Sequence, residues 1–367
     1  MSFGLYIHIP YCLSKCRYCD FYSLGGSRQV PDAYLDALVR AWEDFAASDL
    51  CPAAGPPRPD TLYFGGGTPS LLTPAQAARL IDRFAPAADA EITLEANPET
   101  VTPELLRGFR RAGVNRLSLG IQTARDESLA RLGRPHTAAQ ARAALRAARE
   151  AGFENITGDI MLALPEYTRA EFDETLALIA DEGASHISAY LLKIEPSTAF
   201  GRRPPAGLPD EDEAADFYLY AVERLAQQGF AQYEISNFAR PGFEGRHNLL
   251  YWNCEDYLGL GPAAHSCVSG RRFYFPGDLH GFLSGPPSPV PDGGCDAEDY
   301  ILLQLRLSRG LDLNELNTRY GVQFDRRQMD FLRRCQQAGY ALLDGQAVRL
   351  TPAGLIIQNS ILCELLA

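Results

Sequence analysis

The sequence predicts an α/β protein: an incomplete (β/α)6 TIM-like barrel followed by a small C-terminal helical, winged-helix-like unit. Short β-rich runs alternate six times with stretches of helical apolar spacing, the pattern of a parallel sheet with helices packed outside it. Six such units fall short of the eight that close a barrel, so the sheet should stay open; a doubly wound sheet is the alternative with the same count. Past residue 295 the pattern changes to helices followed by a hairpin.

Strands are read at Leu5–Ile9, Thr61–Phe64, Glu91–Glu95, Arg116–Ile121, Gly158–Leu162 and His186–Leu191, with helices over 32–47, 74–84, 103–112, 137–151, 170–182 and 211–228. Thr73-Pro74 and Thr102-Pro103 mark two helix starts, each placing a capping hydroxyl before a proline whose missing N–H costs nothing there. These elements make residues 1–230 one barrel unit, with any ligand at the C-terminal ends of its strands. Residues 231–277 are aromatic and glycine-rich, strand-like at Gln232–Ile235 and Arg272–Phe275, and read as an extension or cap of the barrel. Residues 278–294 are rich in proline and glycine and read as a linker. Residues 295–367 form the last unit: helices near 296–308, 312–320 and 325–338, strands Tyr340–Leu343 and Ala347–Leu350 around Asp344-Gly345, and a helix after Thr351-Pro352.

The chain has 367 residues, 46% of them apolar and 22% charged, the balance of a globular protein with a sizeable core. Thirty-four Lys and Arg against 46 Asp and Glu give a net charge of −12, which argues against a nucleic-acid partner or an anionic membrane. The winged-helix-like unit is therefore expected to pack or act as a lid rather than bind DNA. No apolar run approaches the roughly 20 residues of a membrane span. The N-terminal residues carry no secretory or transit pattern, and nine cysteines, an odd number, do not read as a disulfide framework. A reduced, cytoplasmic protein is expected.

Three of those cysteines, Cys12, Cys16 and Cys19, sit directly after the first strand. Thiolates suit zinc, copper(I) or an iron–sulfur cluster. A structural zinc site normally takes four ligands, and no fourth is at hand: His8 lies in the strand, where alternation turns it away. Three thiolates on a four-iron cube leave one iron open for an exogenous chelator, such as the amino and carboxylate groups of S-adenosylmethionine (SAM).

The segment LYIHIP-x-CLSKCRYC resembles the radical SAM superfamily, in the branch of oxygen-independent coproporphyrinogen III oxidase. The resemblance implies a partial barrel, a 4Fe-4S cluster on Cys12, Cys16 and Cys19, and SAM in its mouth. By the same resemblance Tyr18 lies on the adenine side, and Gly66, Gly67 and Thr68 of GGGTP meet the methionine amino group. Glu95 and Gln122 can accept from ribose hydroxyls, and Arg134 can hold a carboxylate. Asp159 joins the same strand-end group, and Tyr6 contacts either SAM or a tetrapyrrole.

The decarboxylating oxidases carry a fourth cysteine two residues after the third; this chain has Phe21 there. Conversely, His247-Asn248-Leu249-Leu250-Tyr251-Trp252 is similar to the HNxxYW signature of the HemW-type haem chaperones, and that resemblance runs over essentially the whole chain. It implies a carrier that binds haem, with the cluster and SAM as further cofactors, and passes it to apoproteins such as respiratory enzymes; a homodimer is compatible with it. Neutral imidazole ligates haem iron well, so His247 is the candidate haem ligand, with a polar network under the barrel as the alternative. A radical enzyme acting on a porphyrinogen is the competing function. His265 is a weaker candidate for a cofactor contact, and Cys51-Pro52 reads as a surface turn. Cys254, Cys267, Cys295, Cys335 and Cys363 show no ligand spacing and read as incidental thiols.

Overall fold

The computed structural model describes residues 2–367. Strands β1 (Phe3–Ile9), β2 (Thr61–Gly66), β3 (Glu91–Ala96), β4 (Arg116–Gln122), β5 (Asn155–Leu162) and β6 (His186–Leu191) lie side by side in chain order, all parallel. All six expected strands are present, lengthened by a residue or more except for β6. Helices α1 (Asp32–Ala46), α2 (Pro74–Phe84), α3 (Pro103–Arg111), α4 (Asp126–Leu132), α5 (Ala138–Glu150), α6 (Arg169–Asp181), α7 (Ala199–Arg202) and α8 (Glu211–Gln227) lie between and after them. In α2 the buried residues are Ala77, Leu80, Ile81 and Phe84, spaced to form one apolar stripe against the sheet. The Thr73 and Thr102 hydroxyls accept from the N–H groups of Gln76 and Leu105, so both proline-marked starts are capped as the sequence indicates.

Beyond β6 the sheet continues antiparallel through β8 (Asn237–Ala239) to β7 (Ala231–Gln232). Of the strand expected over Gln232–Ile235, only Gln232 lies in a strand; the rest forms the turn of the antiparallel β7–β8 hairpin. In that turn Glu234 bridges to Leu307 of the C-terminal unit.

Residues 240–252 then cross beneath the N-terminal ends of the barrel strands and include the short helix α9 (Arg246–Trp252). Arg240 N–H donates to Ser185 O (2.9 Å), and Arg116 at the start of β4 donates to Phe243 O (3.1 Å). The carboxylate of Glu91, at the start of β3, accepts from the N–H groups of Arg246 (3.2 Å) and His247 (3.0 Å), satisfying otherwise orphaned donors at the helix start. This segment is the floor of the barrel.

The chain re-enters the sheet as β9 (Asp256–Leu260), parallel to β1, followed by antiparallel β10 (His265–Val268), β11 (Arg271–Tyr274) and β12 (Val290–Gly294). Residues 231–277 therefore extend both edges of the sheet. Residues 278–294 are not a free linker: they form α10 (Leu279–Ser284) and the edge strand β12. Asp278 caps α10, and Phe282, fully buried, packs on Tyr34 and Phe275. One aromatic anchor outweighs the Pro/Gly composition, and the prolines sit at an edge where a missing N–H costs little.

The C-terminal unit contains α11 (Ala297–Gln304), β13 (Leu311–Asp312), α12 (Leu313–Tyr320), α13 (Arg326–Gln337), β14 (Ala341–Asp344), β15 (Ala347–Leu350), α14 (Pro352–Ile356) and α15 (Gln358–Leu366). Its three strands form a separate sheet in the order β13-β15-β14, giving the expected helices-plus-hairpin unit. The first helix stops at Gln304 rather than 308, and the last is two helices. The unit packs through α11 on α9 and through α14 on α8, beside the floor rather than over the mouth. Among the described residues, no helix is long and apolar enough to cross a membrane.

Candidate functional site

At the C-terminal ends of the strands, opposite the floor, lies a cavity of about 570 Å³, within the range of cofactor sites. The loop after β1 forms one wall and presents Cys12, Cys16 and Cys19 to it. Its own backbone staples this loop: Cys12 N–H donates to Leu24 O, Leu24 N–H to Pro10 O, and Gly26 N–H to Leu13 O. Cys12 is buried, and Cys16 and Cys19 are half-buried. Burial pushes the Cys16 and Cys19 thiols up, so binding a metal there releases protons. No three ligating side chains converge on a point fit for a single ion among the described residues; a four-iron cube offers each thiolate a separate iron and needs no such convergence.

The glycines after β2 make the close approach possible. A Cβ on Gly67 would stand 2.7 Å from Ile9 O, 2.8 Å from Tyr11 O and 3.0 Å from Cys12 Sγ, and the two contacts with backbone oxygen are closer than a side chain tolerates. Thr68 Oγ1 donates to Cys12 Sγ (3.4 Å), Asn97 Nδ2 donates to Thr68 Oγ1 (3.2 Å), and Arg134 Nη1 donates to Asn97 Oδ1 (2.7 Å). Arg134 also donates from Nε (3.1 Å) and Nη2 (2.8 Å) to the Tyr18 hydroxyl. A continuous polar chain therefore links Tyr18, Arg134, Asn97, Thr68 and the first cysteine, and this network sets the orientation of the Asn97 amide.

Glu95, at the end of β3, accepts from the Tyr63 hydroxyl (2.8 Å) and the Gly66 N–H (3.2 Å). Burial still holds its carboxyl above the ordinary range. Asp159 accepts from Ser118 (3.0 Å); burial, then the charge of Glu95, push it up to about 7. Gln122 has φ +68°, an uncommon conformation outside glycine, and its Oε1 accepts from Tyr190 (2.8 Å). The cavity thus offers thiols on one wall, carboxylates at its base and a guanidinium to one side, which fits a cluster beside a zwitterionic nucleoside.

Of the residues read from the sequence, Cys12, Cys16, Cys19, Tyr18, Gly66, Gly67, Thr68, Glu95, Gln122, Arg134 and Asp159 all line this cavity. Tyr6 does not: its hydroxyl meets His8 Nδ1 (3.0 Å), and its ring leans on Tyr63. His247 is not brought there either. It is buried in the floor, with Nδ1 2.7 Å from Thr61 Oγ1 and Nε2 2.6 Å from Tyr251 OH, the polar network under the barrel. Burial lowers its imidazole to about 3, so it is neutral. His265 is exposed on β10, away from the cavity.

Sequence reading missed Tyr63, Asn97, Ser118 and Tyr190. Strand alternation was a usable signal for three of them: Tyr63 stands two residues before Gly65, Asn97 two after Glu95, and Ser118 four before Gln122. Nothing local marks Tyr190. Lys15 and Lys193, the chain's two lysines, both stand at the cavity mouth, and only the fold reveals that.

Residues 6–179 match the family model of the radical SAM superfamily, and residues 296–357 match that of the HemN C-terminal domain. The chain is 32% identical to the heme chaperone HemW of Lactococcus lactis, over 97% of this chain and 95% of that protein. It is 39% identical to the heme chaperone HemW of Haemophilus influenzae, over 98% and 96%. Against the Escherichia coli heme chaperone HemW identity is 42%, over 72% and 70%. The solved structure of Escherichia coli coproporphyrinogen III oxidase (HemN), described as a radical SAM enzyme, superposes with a TM-score of 0.83 at 24% identity, over 99% of this chain and 90% of that one; it shares the fold.

Proposed function

The chain belongs to the radical SAM superfamily and, within it, to the heme chaperone HemW family, and from that membership we propose that it binds haem and delivers it to apoproteins while holding a 4Fe-4S cluster and SAM in the barrel mouth. Cys12, Cys16 and Cys19 hold the cluster, with Thr68 donating to the first sulfur. Arg134, Gln122, Glu95 and Asp159 hold the nucleoside, and Tyr18, clamped by Arg134, packs on it. When bound, the cluster supplies an open iron for the amino acid end of SAM.

The structural observation that carries the haem reading is the rim of the mouth. Phe21, Leu24 and Leu191 are exposed by 64%, 45% and 39%. Leu24 bridges to Tyr11 in the cysteine loop, while Phe21 and Leu191 border the cavity together with Lys15 and Lys193. Exposed apolar groups beside ammonium groups suit a flat apolar macrocycle bearing two carboxylates. Phe21 occupies the position of the fourth cysteine of the decarboxylating oxidases, an apolar contact in place of a thiol. His247 enters as part of the floor rather than as an iron ligand, since ligation would require breaking its bond to Tyr251 and lifting α9.

Respiratory haem proteins are proposed as acceptors, in the cytoplasm, where nine free cysteines are at home; a homodimer is the proposed assembly for transfer. The test is haem titration of the reconstituted protein, followed by the Soret band. Phe21→Asp and Lys193→Glu should each weaken haem about tenfold or more, with the iron and sulfide content retained. Sustained 5′-deoxyadenosine release coupled to coproporphyrinogen decarboxylation, without haem transfer, would overturn the carrier reading.

A further inference from the structure

A line of aromatic rings runs from the mouth of the barrel to its floor. It starts at Tyr63 in β2, which borders the cavity. The Tyr63 ring stacks on the His247 imidazole (centroids 5.1 Å apart), the imidazole meets the Tyr251 ring edge-on (5.0 Å), and Tyr251 meets Tyr257 of β9 edge-on (4.4 Å), all close aromatic contacts. Tyr257 is half-buried, so the line ends at solvent.

Two of these phenols have a base in hydrogen-bond contact. Tyr63 O–H donates to Glu95 Oε1 (2.8 Å). The Tyr251 hydroxyl lies 2.6 Å from His247 Nε2, and Thr61 Oγ1 lies 2.7 Å from Nδ1. A phenol is the more acidic of the two hydroxyls, so Tyr251 donates to Nε2 and Nδ1–H donates to Thr61. Removing an electron from a phenol makes its proton strongly acidic, and the electron leaves readily where a base within hydrogen-bond reach takes that proton. The other two tyrosines of the cavity lack such a base: Tyr190 donates to the Gln122 amide oxygen (2.8 Å), and the Tyr18 hydroxyl accepts from Arg134. A second route leaves Tyr63 through Tyr6 and His8 to Tyr22, but each of its steps is longer, at 6.0, 6.0 and 6.3 Å. Ring contact and proton acceptors both favour the floor.

We propose that Tyr63, Tyr251 and Tyr257 carry an oxidising equivalent from the barrel mouth to the surface beside the floor, where a low-molecular-weight thiol removes it. The oxidant is haem oxidised by peroxide, and for that identity alone the proposal rests on the haem reading. The oxidant takes one electron from Tyr63, whose proton passes to Glu95. Tyr251 then returns an electron to Tyr63 across the His247 ring; Tyr63 recovers its proton from Glu95, and the Tyr251 proton moves to His247 Nε2. Tyr257 reduces Tyr251 in turn, His247 gives the proton back, and the Tyr257 proton goes to water. The thiol gives Tyr257 an electron and a proton and is left as a thiyl radical, which pairs with a second one as a disulfide. Each passage reduces the oxidant by one electron and restores the tyrosines. The line thereby spares the cysteine loop, which borders the same cavity.

The test places an oxidant at the mouth without haem, so a protein that takes up no haem would sink the haem reading and leave this experiment intact. A ruthenium bipyridyl maleimide is attached to the cluster-loaded, full-length protein at Leu191→Cys, on the cavity border, with the exposed Cys363 removed as Cys363→Ser. It is oxidised by a flash with a cobalt(III) ammine as electron acceptor. A nitroso spin trap marks the radical, and mass spectrometry of the peptides locates it. The adduct should fall on Tyr257. Tyr257→Phe should move it back to Tyr251, and Tyr251→Phe should abolish the Tyr257 adduct and leave the radical at Tyr63; circular dichroism establishes that both variants fold. An adduct confined to Tyr18, Tyr190 or Tyr22, a Tyr257 adduct that survives Tyr251→Phe, or bleaching of the cluster with no tyrosine adduct would overturn the proposal.

Discussion

Nδ1 of His247 lies 2.7 Å from Oγ1 of Thr61, joining a helix late in the chain to the first residue of the second barrel strand. The ring also stacks on Tyr63, centroids 5.1 Å apart, and its Cε1 lies near Gly4 at the start of β1. The HNxxYW-like segment closes the bottom of the barrel, and its histidine holds that closure in place.

His247→Ala should therefore act on stability first. It leaves the Thr61 and Tyr251 hydroxyls without their imidazole partner and opens a cavity, at a cost of about 2–4 kcal/mol. Denaturant titration should show the loss, while the folded fraction should still take up haem. A haem site destroyed at unchanged stability would contradict the floor role.

Gly67→Ala should cost the cluster before it costs the fold. The added methyl meets Ile9 O and Tyr11 O at 2.7 and 2.8 Å, so the turn carrying Cys12 must move. Anaerobic reconstitution should yield markedly less iron and sulfide, as with Cys12→Ser, while circular dichroism remains that of the parent.

Arg134→Lys keeps the charge but loses the fork that spans Tyr18 and Asn97. SAM binding, measured by calorimetry, should weaken about tenfold with iron content unchanged. Equal affinity would remove Arg134 from the cofactor site.

Glu234 should give a pH signature. It is fully buried with Oε1 unpartnered, and burial raises its carboxyl from 4.5 to about 7. Between those values the folded chain keeps a proton that the unfolded chain has lost. The stability this group provides is complete at low pH and is lost as pH rises through 7. Glu234→Gln should match the parent near pH 4 and exceed it at pH 8 by up to about 3 kcal/mol. Coincident unfolding curves at pH 8 would refute this.

Much of the candidate site was legible because its signals are local. The three cysteines, the GGGTP turn and the polar residues near the ends of β3 and β4 follow or close strands recognisable by composition, Asp159 lies inside β5, and a parallel sheet directs those ends to one mouth. The partners of these residues were hidden. Asn97 and Thr68 act through a hydrogen-bonded chain that runs across four loops. The placement of Lys15, Lys193 and Phe21 on one rim depends on loops after β1 and β6. Residues 278–294 misled by composition, since one buried phenylalanine decides their structure.

Alternation of short apolar runs with amphipathic helices was enough to specify a parallel α/β sheet, and a three-thiol spacing was enough to mark a thiolate metal site that a family resemblance narrowed to a cluster with SAM, because both are carried by neighbours along the chain. The destination of His247 was set by packing. Strand register and the crossing of residues 240–252 under the sheet are long-range choices, governed by which apolar faces and buried hydrogen bonds can be satisfied together, and no short stretch of residues encodes them.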